Sequence, residues 1–285
     1  MLTTLAVFSR IFSNSVANLF QKKASAVESP VVINMWAYFI MSLLCVVPAM
    51  FVNWFQFPPE FWITVLLAGL LCTIGTIALI EALHIGELSV LAPINSYKAI
   101  IGLIGAFVLL GELPAVKELV CVVLIVIGSY FVLETGGEKF SLRLFFRRDI
   151  RLRLFALLCS GVEASFLKKI IIMSSYKISL ILWCFSGFLC SLVILALYNI
   201  KQKQSFKLNK KCLADCLVIA SMLLVMQLTT NYVFSKMAVG TALSLFQLSS
   251  LVSLYFGYKV YHETEIIKKL IGTIIMIVSA VVILI

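Results

Sequence analysis

Apolar residues fill this chain in runs long enough to cross a bilayer, and short polar or proline-bearing joints interrupt them at regular intervals. About 20 residues rising about 1.5 Å each span the hydrocarbon core. On that length the pattern predicts ten helices, at 2–23, 31–54, 60–83, 88–110, 115–134, 152–173, 178–199, 214–235, 241–261 and 266–285. The joints Glu28-Ser29-Pro30, Phe57-Pro58-Pro59-Glu60, Glu112-Leu113-Pro114 and Gly136-Gly137 place turn-forming residues where the apolar runs stop. The longest connections are the basic runs from Glu138 to Arg153 and from Lys201 to Lys211. Trp36 and Trp54 in the second span suit the membrane–water interface, with packing inside as the plainer reading of Trp36.

Composition agrees with this pattern. The chain is 62% hydrophobic with a mean hydropathy of +1.10, against about 45–50% apolar residues in soluble domains. The expected class is an all-α polytopic membrane protein with short connections and no separate soluble domain. The net charge of +10 would suit nucleic acid, but the basic residues lie mostly between apolar runs, so the lipid bilayer is the expected partner and nucleic acid is not. Met1-Leu2-Thr3-Thr4-Leu5 has no positive region before its apolar run and no small-residue cleavage site, and reads as the start of a span rather than a removed signal. Cys45, Cys72, Cys121, Cys159, Cys184 and Cys190 fall inside predicted spans, where cysteine acts as a small apolar residue. Cys212 and Cys216 have no histidine nearby, so neither a metal site nor a disulfide is expected. His-Glu-x-x-His, Gly-x-Ser-x-Gly and Gly-x-x-x-x-Gly-Lys-Ser/Thr are all missing, which argues against ATP hydrolysis in this chain, and no cofactor is expected.

The run from Gly86 to Pro114 organises the rest. Its apolar part holds Pro93, Asn95 and Lys98. A lysine at mid-membrane costs roughly 2.5–3.5 kcal/mol on insertion scales, so it faces protein or a water-filled cavity rather than lipid. Gly102 and Ala106, with Gly105 beside them, offer a face where another backbone can come close. The Gly86-x-x-Ser89 start, the central Pro93 and the terminal Gly111-Glu112 resemble the fourth helix of EamA-type members of the drug/metabolite transporter superfamily. A related pattern recurs in that family's ninth helix. Here Val239-Gly240-Thr241-Ala242 enters that span and His262-Glu263 closes it, with no proline and with His262 where the family has glycine. The resemblance implies a ten-helix carrier whose first, third, fourth, sixth, eighth and ninth helices surround a central cavity, with both termini cytoplasmic.

An internal repeat is visible in the chain itself. Leu19-Phe20-Gln21-Lys22-Lys23 corresponds to Ser165-Phe166-Leu167-Lys168-Lys169 at an offset of 146, and Glu112, Lys117 and Leu133 fall on Glu263, Lys268 and Leu284 at an offset of 151. Two five-helix halves follow, 1–137 and 138–285, and the odd number of crossings makes them an inverted pair with a binding site near the midplane. Odd-numbered connections hold sixteen lysines and arginines against five in the even-numbered ones. By charge, the odd connections are cytoplasmic and both termini lie outside, opposite to the arrangement that the resemblance implies.

Candidate binding residues come from polar positions at helical spacing. Arg10, Asn14 and Asn18, with Gln21 three further on, form one stripe on the first span. Either the stripe lines a substrate path, or Arg10 snorkels to an interface and the asparagines join neighbouring helices. Gln227, Asn231 and Ser235 repeat the spacing on the eighth span, and Ser244 and Gln247 lie three apart on the ninth. Asn95, Lys98 and Glu163 lie deep in the fourth and sixth spans. Lys98 and Glu163 can neutralise one another as an ion pair, or one of them can hold substrate or a proton. Glu81, His84 and Glu87 either gate one mouth or sit in a solvated loop. Ser249, Ser253 and Gly257 read as a packing row, and the fifth and tenth spans, nearly free of polar residues, read as peripheral. The function these features predict is a secondary transporter, not an enzyme, in the cell (inner) membrane, moving a small polar metabolite by alternating access. A coupling ion and a homodimer are further partners that this class allows. A membrane-embedded enzyme or lipid-modifying accessory protein is the alternative.

Overall fold

The computed structural model describes residues 1–98, 100–101, 116–133, 142–202, 210–237 and 239–284, and the regular structure among them is entirely helical. Chain chemistry sets most boundaries. α1 (Leu2–Ser25) runs to the Lys22-Lys23 pair. α2 (Pro30–Ala49) starts where Ser29 accepts the Val32 N–H at 3.4 Å and Pro30 occupies the first turn. α3 (Pro59–Ile85) opens after Pro58 and stops at Gly86. Then follow α4 (Leu88–Leu91), a 3-10 turn (Pro93–Ser96), α5 (Val116–Leu133), α6 (Arg148–Met173), α7 (Tyr176–Gln202), α8 (Lys210–Lys236), α9 (Val239–Phe246), α10 (Ser249–Tyr261) and α11 (Ile266–Leu284).

Two predicted spans are not continuous helices. The fourth breaks because Pro93 has no N–H to give and its ring would meet the carbonyl four residues back. The ninth breaks at Gln247–Leu248, between α9 and α10, without a proline. Side-chain hydroxyls take up carbonyls around both breaks: Ser250 Oγ donates to the Ala92 carbonyl at 2.9 Å, Ser249 Oγ to that of Phe246 at 2.8 Å, and Ser15 Oγ to that of Ser249 at 2.9 Å. Broken backbone at membrane depth persists only where such partners exist. The second span also ends early, with Trp54 in a separate 3-10 turn against Trp62. Gly102, Gly105 and Ala106, the Gly111–Pro114 end of the fourth span and Gly136-Gly137 lie outside the described residues, as does the side chain of Ser244.

Helices pair in a definite order: α1 on α8, α3 on α6, α2 on α7, α5 on α11, and α4 on α10. At the α5–α11 contact a Cβ on Gly272 would run into the carbonyl oxygen of Gly128, so only glycine lets the two backbones touch there. Among the described residues, four stretches are by themselves long and apolar enough to span a membrane: Pro30–Ala49, Pro59–Ile85, Tyr176–Tyr198 and Cys212–Lys236. α1 and α6 are less apolar because each carries a line of polar residues on one side. The outer faces expose Leu43, Leu44, Ile63, Leu66, Val123 and Leu197, apolar surface of the kind that lipid covers. The eight cysteines are free and buried.

Candidate functional site

The polar stripes converge. A central cavity of about 150 Å³ is walled by α1, α3, α6, α8, the broken fourth span, and α9 and α10, with one ring each from α2 (Tyr38) and α7 (Trp183). No described residue of α5 or α11 reaches it. The stripe on α1 faces inward throughout, because Arg10, Asn14, Asn18 and Gln21 share one side of a 3.6-residue helix.

Of the residues singled out from the sequence, Arg10, Asn14, Asn18, Asn95, Lys98, Glu163 and Gln227 line this cavity together. Asn231 and Gln247 stand one layer behind. Gln227 Nε2 donates to Asn231 Oδ1 at 2.9 Å, and Asn231 Nδ2 to the Tyr176 carbonyl at 3.3 Å. Gln247 Oε1 accepts from Asn95 Nδ2 at 2.9 Å, which ties the break in the ninth span to the break in the fourth. Ser249 and Ser253, read from sequence as packing only, also face the cavity, and Asn14 Nδ2 donates to Ser249 Oγ at 3.4 Å.

Lys98 and Glu163 share the cavity without a direct ion pair among the described residues. Glu163 Oε1 instead accepts the indole N–H of Trp183 at 2.9 Å. The Tyr38 ring packs against Trp183 with centroids 4.9 Å apart and planes tilted by 53°, and its hydroxyl lies 2.8 Å from Cys72 Sγ. Gly187 makes room for this ring, since a Cβ there would collide with Tyr38.

Arg153 was assigned to the basic connection by the sequence pattern. It belongs to α6 instead, and its guanidinium turns into the cavity, donating to the Leu91 carbonyl at 3.0 Å and to Asn95 Oδ1 at 3.3 Å. The signal was its spacing: Arg153, Ser160 and Leu167 follow one another at sevens along one helix face and all line the cavity. Removing Arg153 from the connections lowers the odd-side charge count by one and leaves its sense unchanged.

The odd-numbered connections close over one end of the bundle through ion pairs. Lys22 Nζ donates to Glu263 at 3.0 Å and to the Gly86 carbonyl at 2.7 Å. Glu263 also accepts the N–H groups of Leu88 and Ser89, each at 2.8 Å. Lys23 pairs with Asp215 at 2.8 Å, Arg148 with Glu81 at 2.7 Å, and the buried Lys269 with Glu87. Glu81 and Glu87 therefore belong to this clasp, while His84 is exposed. Burial pushes the Glu263 carboxyl up, but the bonds from Ser89 and the charge of Lys22 outweigh it and hold it below the ordinary carboxylate value. His262 sits in the left-handed region at φ 53°, which explains why glycine suits the place before this glutamate. At the even-numbered connections no ion pair is present among the described residues.

These features define an integral, multi-pass helical membrane protein built around a buried polar chamber. Residues 1–134 match the model of the EamA-like transporter family, a family of membrane transporters, as the Gly86–Pro114 stretch led us to expect. Twenty-four chains of solved structures match as well. One of them, titled "Crystal structure of protein", has a TM-score of 0.65 at 12% identity and covers 98% of this chain and 95% of its own, a likeness of fold alone. No curated protein matches.

Proposed function

We propose that this protein is a secondary transporter that moves a small polar metabolite across the cell (inner) membrane by alternating access, its two inverted five-helix halves (1–137 and 138–285) rocking about the central chamber. The observation that carries the reading is the meeting of two broken spans, one from each half, at the Asn95–Gln247 hydrogen bond beside a polar cavity. Discontinuous helices at the interface of inverted repeats are where such carriers build their sites.

Helix pairing supports the inverted halves. Exchanging each span for the one five places away turns the α1–α8 contact into the α6–α3 contact and leaves the α2–α7, α5–α11 and α4–α10 contacts unchanged. Side chains follow the same relation. Lys22 reaches the Gly86 carbonyl at one end of the bundle, and Lys168, its partner at the offset of 146, reaches the carbonyls of Phe234 and Met237 at the other end. Met237 is Gly86 displaced by 151. The ion pairs supply a closed side, and a carrier needs such a latch on whichever side is shut.

Counterflow of labelled small solutes into liposomes holding only this protein tests the function, and the absence of protein-dependent exchange for any solute would end it. Alternating access has its own check. In a background without native cysteines, Asn18→Cys should react with a membrane-impermeant thiol reagent added on either side, while labelling from one side alone would contradict the rocking of the halves.

A further inference from the structure

The chamber holds more positive charge than it can satisfy. Arg10, Lys98 and Arg153 line it, and Glu163 is the one described carboxylate among its lining residues. That carboxylate is engaged by Trp183 rather than by a cation. Arg153 is held by the neutral oxygens of Leu91 and Asn95. Arg10 has a weaker anchorage: its guanidinium carbon lies 4.3 Å from the centre of the Phe246 ring, and its buried Nε and Nη1 have no hydrogen-bond partner. Lys98 lies within electrostatic reach of all three charged neighbours and gains no ion pair from them among the described residues. Two net positive charges in a site of low dielectric, with donors aimed inward and unused, are costly unless something negative enters.

We infer, resting on the transporter reading above, that the substrate is a small organic anion, its carboxylate or phosphate group held by Arg10 and Lys98. A guanidinium offers a planar pair of N–H donors that fits either group, and an ammonium adds a point charge. Asn14 and Asn18 are placed one and two turns along from Arg10 to bind hydroxyl or carbonyl groups of the same molecule. Size sets a limit: a cavity of about 150 Å³ is the volume that accommodates benzene in an engineered protein core, so the cargo has roughly six to ten heavy atoms unless the walls move. Glu163, which lines the same cavity, disfavours an anionic group placed next to it.

Thermal unfolding of the purified full-length protein in detergent, with lactate, succinate, glycerol 3-phosphate, glycerol, putrescine and chloride as probes, tests the inference. Saturable stabilisation by lactate, succinate or glycerol 3-phosphate, with none from glycerol or putrescine, is the expected result, and the tighter class identifies the anionic group. Arg10→Gln should weaken that binding about tenfold or more, and Arg10→Lys should restore part of it. Glu163→Gln, which removes the negative charge, should tighten it, which guards against an Arg10 variant that merely folds poorly. Binding of glycerol or putrescine in place of the anions would overturn the anionic substrate. So would chloride stabilising as strongly as any organic anion, or no stabilisation by any anion. Counterflow separates this failure from a wider one: exchange of neutral or cationic solutes would leave the transporter standing without its anion, whereas no exchange at all would remove both.

Discussion

Two groups of charge lie in this molecule, one at the ends of helices and one in the chamber, and are treated in opposite ways. At the odd-numbered connections Lys22, Lys23 and Lys269 each meet a carboxylate, and Glu263 is further satisfied by two backbone N–H groups. In the chamber, Arg10 and Lys98 meet none among the described residues, and the carboxylate they share the space with is bound to an indole. Paired charges hold elements in place, since removing one partner strands the other. Charges left unmatched in a cavity stabilise little on their own and are available to a ligand. On the transporter reading proposed above, the difference separates the part of the protein that closes from the part that binds, and it makes unlike predictions for mutations that look alike.

The largest effect is expected at the clasp. Glu263→Ala strands Lys22 and two N–H groups, and should lower stability by about 3–5 kcal/mol, read as a drop in the unfolding midpoint in detergent. The same carboxyl gives the clasp a pH dependence. Its pKa in the fold lies below the ordinary 4.5, so its contribution is present above that value and is lost as pH falls through the folded value. Glu263→Gln should flatten this acid limb of the stability curve, and an unchanged limb would remove Glu263 as its source.

Next in size is Gly187→Ala, whose added methyl meets the Tyr38 ring. Overpacking of this kind costs about 1–3 kcal/mol. Because Tyr38 walls the chamber, the variant should also alter solute exchange at a temperature where it remains folded.

His262→Gly should act in the reverse direction. A side chain in the left-handed region costs about 1–2 kcal/mol, so glycine there should raise the unfolding midpoint, and a lowered midpoint would show that the imidazole has contacts worth more than the strain.

The smallest effect sharpens the comparison most. Arg10→Gln removes a buried cation that strands no partner, so stability should stay within about 1 kcal/mol of the parent or rise. A loss as large as that of Glu263→Ala would mean that the chamber charges are structural after all.

Much of this was legible in the chain. Apart from the second span, which stops early, and the broken fourth and ninth, the helices begin and end within a few residues of the spans that the apolar runs predicted, because Ser29-Pro30, Pro58-Pro59 and Gly86 stop or start helices by local chemistry alone. The stripe Arg10, Asn14, Asn18 was readable as one face because helical period is a property of sequence. What faces that stripe was not. The break at Gln247 has no proline to announce it, and depends on Ser15 and Asn95 arriving from distant parts of the chain. Arg153 read as loop because its neighbours are basic, and only the packing of α6 against the broken fourth span turns it inward. Lys98 and Glu163 looked like a pair from their depth alone, yet Trp183 on α7 takes the carboxylate. Sequence by itself determined which stretches are apolar enough to form spans and which of their sides are polar, since these follow from residue type and spacing. Which charges find partners was decided by tertiary structure, because an ion pair or hydrogen bond acts over a few ångströms and its partners here come from different parts of the chain, 20 residues apart for Glu163 and Trp183 and 241 apart for Lys22 and Glu263.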